Sequence, residues 1–254
     1  MESKNVVLVI LDGWGIGRND ESNPVYVAKP EIFAHLEQTY PVTSLQASGI
    51  AVGLPWGETG NSEVGHLTLG AGKVLYQYYP KITMAIRDGS FAANPILGQV
   101  FAHALKNNSA VNLAGLLTKA NVHASLDHVK TLIDLARKAG VTRINLHLFA
   151  DGKDSPPKSL QGFLQELPRE LFATLMGRYY AMDRQGNWQL TETAYLTMTG
   201  QAGTLVDDPN PTIETTYRQG NTEEYLPPMR FNRDPASSQG PASAPPATHP
   251  AQSQ

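Results

Sequence analysis

The sequence predicts an α/β fold in which apolar strands alternate with amphipathic helices. The run Val6–Leu11 is apolar throughout and ends in Asp12 and a glycine-rich turn, a pattern typical of a buried, parallel strand. Residues 94–149 alternate between helical periodicity and short apolar runs, as in the layers of an α/β domain. With 41% hydrophobic residues in 254 positions, the chain has enough apolar side chains for a substantial core.

The first part of the chain, residues 1–76, predicts only an incomplete sheet. Its elements are expected in the following order: a strand at Val6–Leu11, a helix around Pro30–Tyr40, a short strand near Thr43–Gln46 and a loop around Ser62. Two strands cannot form a stable sheet by themselves.

The second part, residues 77–233, predicts a domain in its own right. The pattern favours helices at Asn94–Lys106 and Leu126–Ala139 and strands at Ala110–Leu117 and Arg143–Phe149. Gly140 is expected just beyond the end of the second helix, where a left-handed backbone conformation terminates many helices. We therefore expect an α/β layer here.

The last segment, residues 234–254, predicts disorder. Seventeen of its 21 residues are Pro, Ala, Ser or Gln, and it contains no aromatic residue and no aliphatic residue larger than alanine. Such a segment cannot bury enough apolar surface to offset the entropy lost on ordering.

Composition excludes several classes of protein. The net charge of −3 provides no field favouring nucleic acid or an anionic membrane. The absence of cysteine excludes disulfides, thiolate metal sites and a cysteine nucleophile. No apolar run has the length of a membrane span, and the amino terminus lacks the features of a signal peptide, so a cytoplasmic location is expected.

Ser62 lies in the most informative stretch of the chain, Gly60–Gly72, which reads Gly-Asn-Ser-Glu-Val-Gly-His-Leu-Thr-Leu-Gly-Ala-Gly. Its glycines permit close backbone approaches that suit a phosphate site, although a glycine-rich surface loop is the commoner meaning of such a pattern. His66, four residues on, is in position to orient the loop or to donate to a phosphate. Asp12 is expected at the carboxyl end of the first strand, where open α/β sheets place ligands, with a turn or helix cap as its alternative role.

Further segments extend the pattern to roughly residues 5–228. They are Val52-Gly53-Leu54-Pro55, Gly115-Leu116-Leu117, Val122-His123-Ala124-Ser125, Asp151-Gly152-Lys153-Asp154-Ser155-Pro156-Pro157-Lys158 and Gly177-Arg178-Tyr179-Tyr180-Ala181-Met182-Asp183-Arg184. Together with the Asp12 and Ser62 motifs, they resemble the cofactor-independent (2,3-bisphosphoglycerate-independent) phosphoglycerate mutases, relatives of alkaline phosphatase. The resemblance implies an incomplete alkaline-phosphatase-like sheet segment, at residues 1–76, that belongs to a metal-binding domain. It also implies that residues 77–233 form an insertion domain that binds substrate.

The same resemblance implies the chemistry. Members of this family interconvert 3-phosphoglycerate and 2-phosphoglycerate in glycolysis through a phosphoserine intermediate, which here would form on Ser62. Asp12 and Ser62 would bind one of two divalent metal ions, expected to be manganese, and no organic cofactor is needed. Metal coordination makes a serine alkoxide accessible at neutral pH and offsets the charge of the attacked phosphate.

The resemblance also implies that His123, Lys153, Asp154 and Arg184 bind the substrate. Two positions depart from the family pattern. Lys153 stands in place of an arginine and so loses the two-pronged hydrogen bonding of a guanidinium. The arginine expected shortly after Trp188 is missing, since Trp188-Gln189-Leu190 has no basic residue.

Residues 234–254 stand where relatives carry further arginines and, later, the remaining Asp and His metal ligands. We therefore expect an amino-terminal portion of the family pattern, and two functions are open. One is the mutase itself. The other is a non-catalytic fragment that binds phosphoglycerate weakly or needs a complementing carboxyl-terminal chain. A different relative of alkaline phosphatase, such as a phosphopentomutase, fits the insertion-domain motifs less well.

Overall fold

A computed structural model describes residues 5–232, which form two compact units. The first unit ends at Pro80 and the second begins at Lys81. None of the helices within residues 5–232 is long and apolar enough to cross a membrane. The disorder predicted for residues 234–254 lies outside the described residues.

The first unit is built from short helices. They are α1 (Pro24–Ala28), α2 (Glu31–Thr39), a 3₁₀ helix (Gly49–Val52), α3 (Ser62–Ala71) and the start of α4 (Tyr78–Arg87). Asparagine caps begin two of them: the side chains of Asn23 and Asn61 accept hydrogen bonds from the N–H groups of Val25 and Val64. The helix predicted around Pro30–Tyr40 is thus confirmed as α2.

The strands predicted in the first unit are wrong. Val6–Leu11 has no regular secondary structure, its six side chains are between 42% and 88% exposed, and Thr43–Gln46 is likewise irregular. A strand's N–H and C=O groups pair only with a neighbouring strand, and residues 5–80 offer none. The run is apolar, but within residues 5–80 there is no strand with which it could pair.

The second unit contains a five-stranded sheet in the order β1-β2-β3-β5-β4. The strands are β1 (Val111–Leu117), β2 (Ile144–Ala150), β3 (Phe172–Gly177), β4 (Thr204–Val206) and β5 (Met229–Phe231). The first three are parallel, β5 runs antiparallel to β3, and β4 is parallel to β5. The carboxyl ends of β1, β2 and β3 therefore meet at one edge of the sheet.

The helices of this unit follow the end of α4. They are α5 (Pro95–Lys106), α6 (Leu126–Lys138), α7 (Leu160–Gln165), α8 (Arg178–Ala181), α9 (Trp188–Met198) and α10 (Asn210–Arg218), with 3₁₀ helices at Arg169–Leu171 and Glu223–Tyr225. The two helices and two strands predicted between residues 94 and 149 are confirmed, and each predicted end lies within one residue of the observed end. Gly140 has φ of +90°, as expected just beyond α6.

The core lies between one face of the sheet and the helices packed on it. Leu146 and Leu175 of the central strands, Ala136 of α6 and Ile213 of α10 are fully buried there. The mixed α/β fold class predicted from the sequence is confirmed by this sheet and its helices.

Candidate functional site

Ser62 is the first residue of helix α3, and not part of a loop as predicted. Asn61 caps the helix through the 2.9 Å hydrogen bond that its side chain accepts from the N–H of Val64. The side chain of Ser62 is exposed and lies at the positive end of the helix dipole. This position combines an accessible hydroxyl with N–H groups suited to an anion.

Two glycines around Ser62 have a steric role. A Cβ at Gly60 would lie 2.0 Å from the carbonyl oxygen of Ala47, so only glycine permits this close approach. Gly72 ends helix α3 with φ of +63°. Gly65 and Gly70 face open space, so the expected close approach applies to Gly60 alone among the glycines of this motif.

Asp12 contacts Ser62 directly, although 50 residues separate them in the chain. The Ser62 hydroxyl donates to Asp12 Oδ2 over 2.5 Å. Asp12 does not end a strand, as predicted; it lies in a turn closed by the hydrogen bond from Trp14 N–H to the Leu11 carbonyl, with Gly13 at φ of +81°. The turn, and not a sheet edge, brings the two oxygens together.

His66 is also within reach of Ser62. Its Nδ1 lies 2.8 Å from the Ser62 carbonyl oxygen and 3.2 Å from Ser62 Oγ. A carbonyl oxygen only accepts, so Nδ1 carries the proton in this arrangement. The Ser62 proton is therefore directed to Asp12, while His66 donates toward the serine.

Asp12 and Ser62 supply two hard oxygens of the kind preferred by manganese and magnesium. The two oxygens are adjacent, so both would be available to one ion after the hydroxyl loses its proton. Within residues 5–232, however, no three His, Cys, Asp or Glu side chains are grouped closely enough to hold a metal. The described residues thus fit part of a coordination shell.

A second polar cluster lies in the unit that begins at Lys81, at the carboxyl ends of three parallel strands. Thr118 follows β1, Asp151 follows β2 and Arg178 follows β3. Ligands of α/β sheets bind at this edge. We call the six residues Thr118, His123, Asp151, Asp154, Ser155 and Arg178 the strand-end cluster.

Asp151 is the buried centre of the strand-end cluster, with 2% exposure. Burial by itself raises the pKa of a carboxyl, but hydrogen bonds from Thr118, the Asp154 N–H, Arg178 and the Ser155 N–H outweigh it and lower the pKa of Asp151 to about 2. Its hydrogen bond from Thr118 Oγ1 is 2.6 Å long. Asp151 is therefore a fixed negative charge at neutral pH.

Asp154 and His123, two of the predicted substrate-binding residues, lie together. Asp154 Oδ2 is 3.7 Å from His123 Nε2 and accepts a 2.6 Å hydrogen bond from Arg178 Nη1. Asp154 is 20% exposed and His123 is 45% exposed, so both are accessible to a ligand.

The other two predicted substrate-binding residues, Lys153 and Arg184, point into solvent. Both are exposed, and within residues 5–232 neither side chain makes a hydrogen bond or an ion pair. Only the backbone N–H of Lys153 joins the strand-end cluster, through a 3.3 Å contact with Asp151. The structure therefore places His123 and Asp154 in one cluster and does not bring Arg184 to it.

Sequence reasoning missed Arg178 and Asp151 as members of this cluster. In the sequence both stand within longer motifs, and no separate role is predicted for either. The available signal was positional, because each is a charged residue immediately after an apolar run that ends a parallel strand.

A cavity of about 690 Å³ lies elsewhere in the same unit. Ile144 and Phe172, the first residues of β2 and β3, line it. It therefore opens at the amino ends of the strands, and none of the predicted site residues lines it.

These features define a class: an α/β protein with an exposed serine at a helix start and a charged cluster at parallel strand ends. The family model described as "BPG-independent PGAM N-terminus" matches residues 82–241. The chain therefore belongs to the 2,3-bisphosphoglycerate-independent phosphoglycerate mutase family, of which it represents an amino-terminal portion.

Curated relatives agree with this assignment. The 2,3-bisphosphoglycerate-independent phosphoglycerate mutase of Clostridium tetani is 41% identical over 241 residues, covering 92% of this chain and 47% of the relative. That of Moorella thermoacetica is 41% identical over 239 residues, covering 91% and 47%. The chain thus spans about half the length of the curated relatives it matches.

A solved structure is also similar. The crystal structure of Leishmania mexicana phosphoglycerate mutase at low cobalt concentration superposes with a TM-score of 0.63 and 28% sequence identity. The match covers 90% of this chain and 44% of that one.

Proposed function

We propose that this chain carries the serine nucleophile and the substrate-binding unit of a phosphoglycerate mutase that interconverts 3-phosphoglycerate and 2-phosphoglycerate in glycolysis. The observation that carries the proposal is the 2.5 Å hydrogen bond between Ser62 and Asp12, formed at a helix start by residues 50 positions apart. The named activity of the relatives supports the same reaction. A cytoplasmic location agrees with a glycolytic role.

The reaction would proceed in two transfers. Ser62 loses its hydroxyl proton, its oxygen forms a bond to phosphorus, and the bond between phosphorus and the 3-oxygen of the glycerate breaks. That oxygen takes up a proton. The 2-hydroxyl of the retained glycerate then loses its proton and its oxygen attacks the phosphoserine. The Ser62 Oγ–P bond breaks, Ser62 Oγ takes up a proton, and 2-phosphoglycerate is left.

The residues of this chain would have distinct parts in those steps. Asp12 accepts the hydrogen bond of the Ser62 hydroxyl, and His66 donates toward Ser62 from Nδ1. His123 and Asp154 would hold the glycerate, with Lys153 and Arg184 reaching its charged groups from solvent.

Divalent metal, with manganese expected, would be held by Asp12 and Ser62. It would make the serine alkoxide accessible and offset the phosphate charge. One carboxylate and one serine oxygen leave most of a six-ligand shell to water, and no third protein ligand is grouped with them within residues 5–232. Additional Asp or His ligands from outside those residues are therefore part of this proposal.

The second candidate function follows from the incomplete metal shell around Asp12 and Ser62 within residues 5–232. A polypeptide limited to the described ligands would be non-catalytic, binding phosphoglycerate weakly or acting with a complementing carboxyl-terminal chain. Binding through the strand-end cluster does not require the metal ligands, since those residues are held by one another.

Peptide mass spectrometry tests the proposed nucleophile. The chain is incubated with 3-phosphoglycerate and manganese, together with a polypeptide carrying the other half of a relative. Phosphate on Ser62 is the expected result, with none on that peptide in Ser62→Ala. Phosphoglycerate binding in calorimetry with no Ser62 phosphorylation would favour the non-catalytic function instead.

A further inference from the structure

Arg178 has the most restricted position among the residues of the strand-end cluster. It directly follows β3, and its side chain is only 11% exposed. One nitrogen, Nη1, lies 2.8 Å from Asp151 Oδ1 and 2.6 Å from Asp154 Oδ2. Because a guanidinium Nη carries two hydrogens, both are used, one for each carboxylate.

The two carboxylates differ in what else holds them. Asp151 is fixed independently by Thr118 and by the N–H groups of Asp154 and Ser155. The Asp154 carboxylate is held by Arg178, with His123 3.7 Å away. Arg178 thus transmits the fixed position of Asp151 to the more exposed Asp154.

The backbone immediately before Arg178 is also held in place. A Cβ at Gly177 would lie 2.0 Å from the carbonyl oxygen of Glu224, and the Gly177 N–H donates to the Leu226 carbonyl over 2.8 Å. The end of β3 therefore packs against the backbone of the 3₁₀ helix Glu223–Tyr225 and its continuation. The guanidinium extends from a rigid point.

Charge gives Arg178 a second effect. Without it, Asp151 and Asp154 would present two uncompensated carboxylates to an anionic ligand. Burial opposes the charge of Arg178, but the hydrogen bonds that it donates to Asp154 and Asp151 outweigh burial and raise the pKa of the guanidinium. The positive charge is therefore permanent, and it cancels one of the two negative charges.

We infer that Arg178 is the positioning residue of the substrate site: it fixes the Asp154 carboxylate beside His123 and reduces the negative charge that phosphoglycerate would meet. This inference rests on the proposed role of Asp154 in substrate binding. In this role Arg178 contacts neither substrate nor metal, because it acts through Asp154.

A double-mutant cycle separates positioning from a purely structural ion pair. The four proteins are the wild-type chain, Arg178→Met, Asp154→Asn and the double variant. Calorimetry measures the affinity for 3-phosphoglycerate, and NMR measures the imidazole resonances of His123. Arg218→Met is the matched control, because Arg218 is an exposed arginine paired with Glu214 on its own helix.

Arg178→Met is expected to weaken 3-phosphoglycerate binding about tenfold and to shift the His123 resonances, while Arg218→Met does neither. In the Asp154→Asn background, Arg178→Met should leave the His123 resonances nearly unchanged. It should also weaken binding less than in the wild-type background, because only the loss of positive charge then acts. Equal effects of Arg178→Met in both backgrounds would overturn the inference.

Two further outcomes remain decisive. Should Arg178→Met fail to fold, Arg178→Lys takes its place in the cycle, since a compact ammonium keeps the charge but loses the guanidinium geometry. Should the wild-type chain not bind 3-phosphoglycerate, the proposed substrate role fails. The His123 resonances still decide whether Arg178 positions Asp154, because that measurement needs no ligand.

Discussion

Residues 5–80 and residues 81–232 come from one sequence with similar apolar patterns, yet they are organised very differently. In the first region, Leu54 and Val64 are the large apolar side chains that are buried, and the six side chains of Val6–Leu11 are exposed. In the second, a five-stranded sheet carries a continuous core of 22 buried residues. An apolar run in the sequence is therefore not enough to make a strand.

The difference follows from where backbone hydrogen bonds are made. A helix satisfies its own N–H and C=O groups, so α2 and α3 form locally, with Asn61 capping α3. A strand needs a neighbour. Val111–Leu117 has one in Ile144–Ala150, whereas Val6–Leu11 has none among the described residues.

The largest expected contrast is in stability. Leu146→Ala in β2 removes a fully buried side chain and should lower the free energy of unfolding by about 2–5 kcal/mol. Leu8→Ala, at a side chain that is 72% exposed, should change it by less than about 0.5 kcal/mol. Urea unfolding measures both, and a loss for Leu8→Ala comparable to that for Leu146→Ala would show that the side chains of Val6–Leu11 are buried.

Acid should act on the second region through Asp151. Its carboxyl has a lowered pKa of about 2 in the folded protein, so the native state favours the ionised form. This stabilisation is complete above the unfolded pKa of about 3.9 and is lost as the pH falls toward 2, with a magnitude of about 2 kcal/mol. Urea unfolding at a series of pH values measures it.

Asp151→Asn is the control for this pH dependence. The variant should be less stable at pH 7 and should lack the part of the stability loss between pH 4 and 2 that Asp151 contributes. If the stability of Asp151→Asn falls between pH 4 and 2 as much as that of the wild type, Asp151 does not carry the assigned negative charge.

A smaller effect is expected at Lys153, whose side chain is exposed beside the strand-end cluster. Lys153→Arg should tighten 3-phosphoglycerate binding by roughly 1 kcal/mol, the scale of one improved charge-assisted hydrogen bond. Lys106→Arg, at an exposed lysine near the end of α5, controls for the change in residue type. Calorimetry showing no gain for Lys153→Arg would count against this residue as a phosphate ligand.

The sequence was a good guide wherever the determining interactions are local or repeat in a regular pattern. The helices Pro95–Lys106 and Leu126–Lys138, the strands that flank them and the left-handed Gly140 were all predicted. His123 and Asp154 lie 3.7 Å apart, and their assignment to the substrate stays a prediction.

One feature that escaped prediction is local, and the others depend on long-range geometry. The sequence pattern predicts a loop at Ser62, where the structure has a helix start, although Asn61 is a typical capping residue. The bond from Ser62 to Asp12 spans 50 residues and arises from a turn instead of a strand end. Arg178 was overlooked because its meaning appears only when the ends of β1, β2 and β3 are placed side by side.

We propose that residues 5–232 carry the nucleophile and an organised substrate-binding unit, and that further metal ligands must be supplied before catalysis. A coupled assay from 3-phosphoglycerate with manganese tests it, using wild type and Ser62→Ala, each with and without a polypeptide carrying the other half of a relative. Because Asp12 and Ser62 leave most of the metal shell to water, a large part of the electrostatic stabilisation of the transition state would be missing. We predict negligible turnover by the chain alone and Ser62-dependent turnover when the second polypeptide is added. Robust Ser62-dependent turnover by the chain alone would show that residues 5–232 need no further metal ligands.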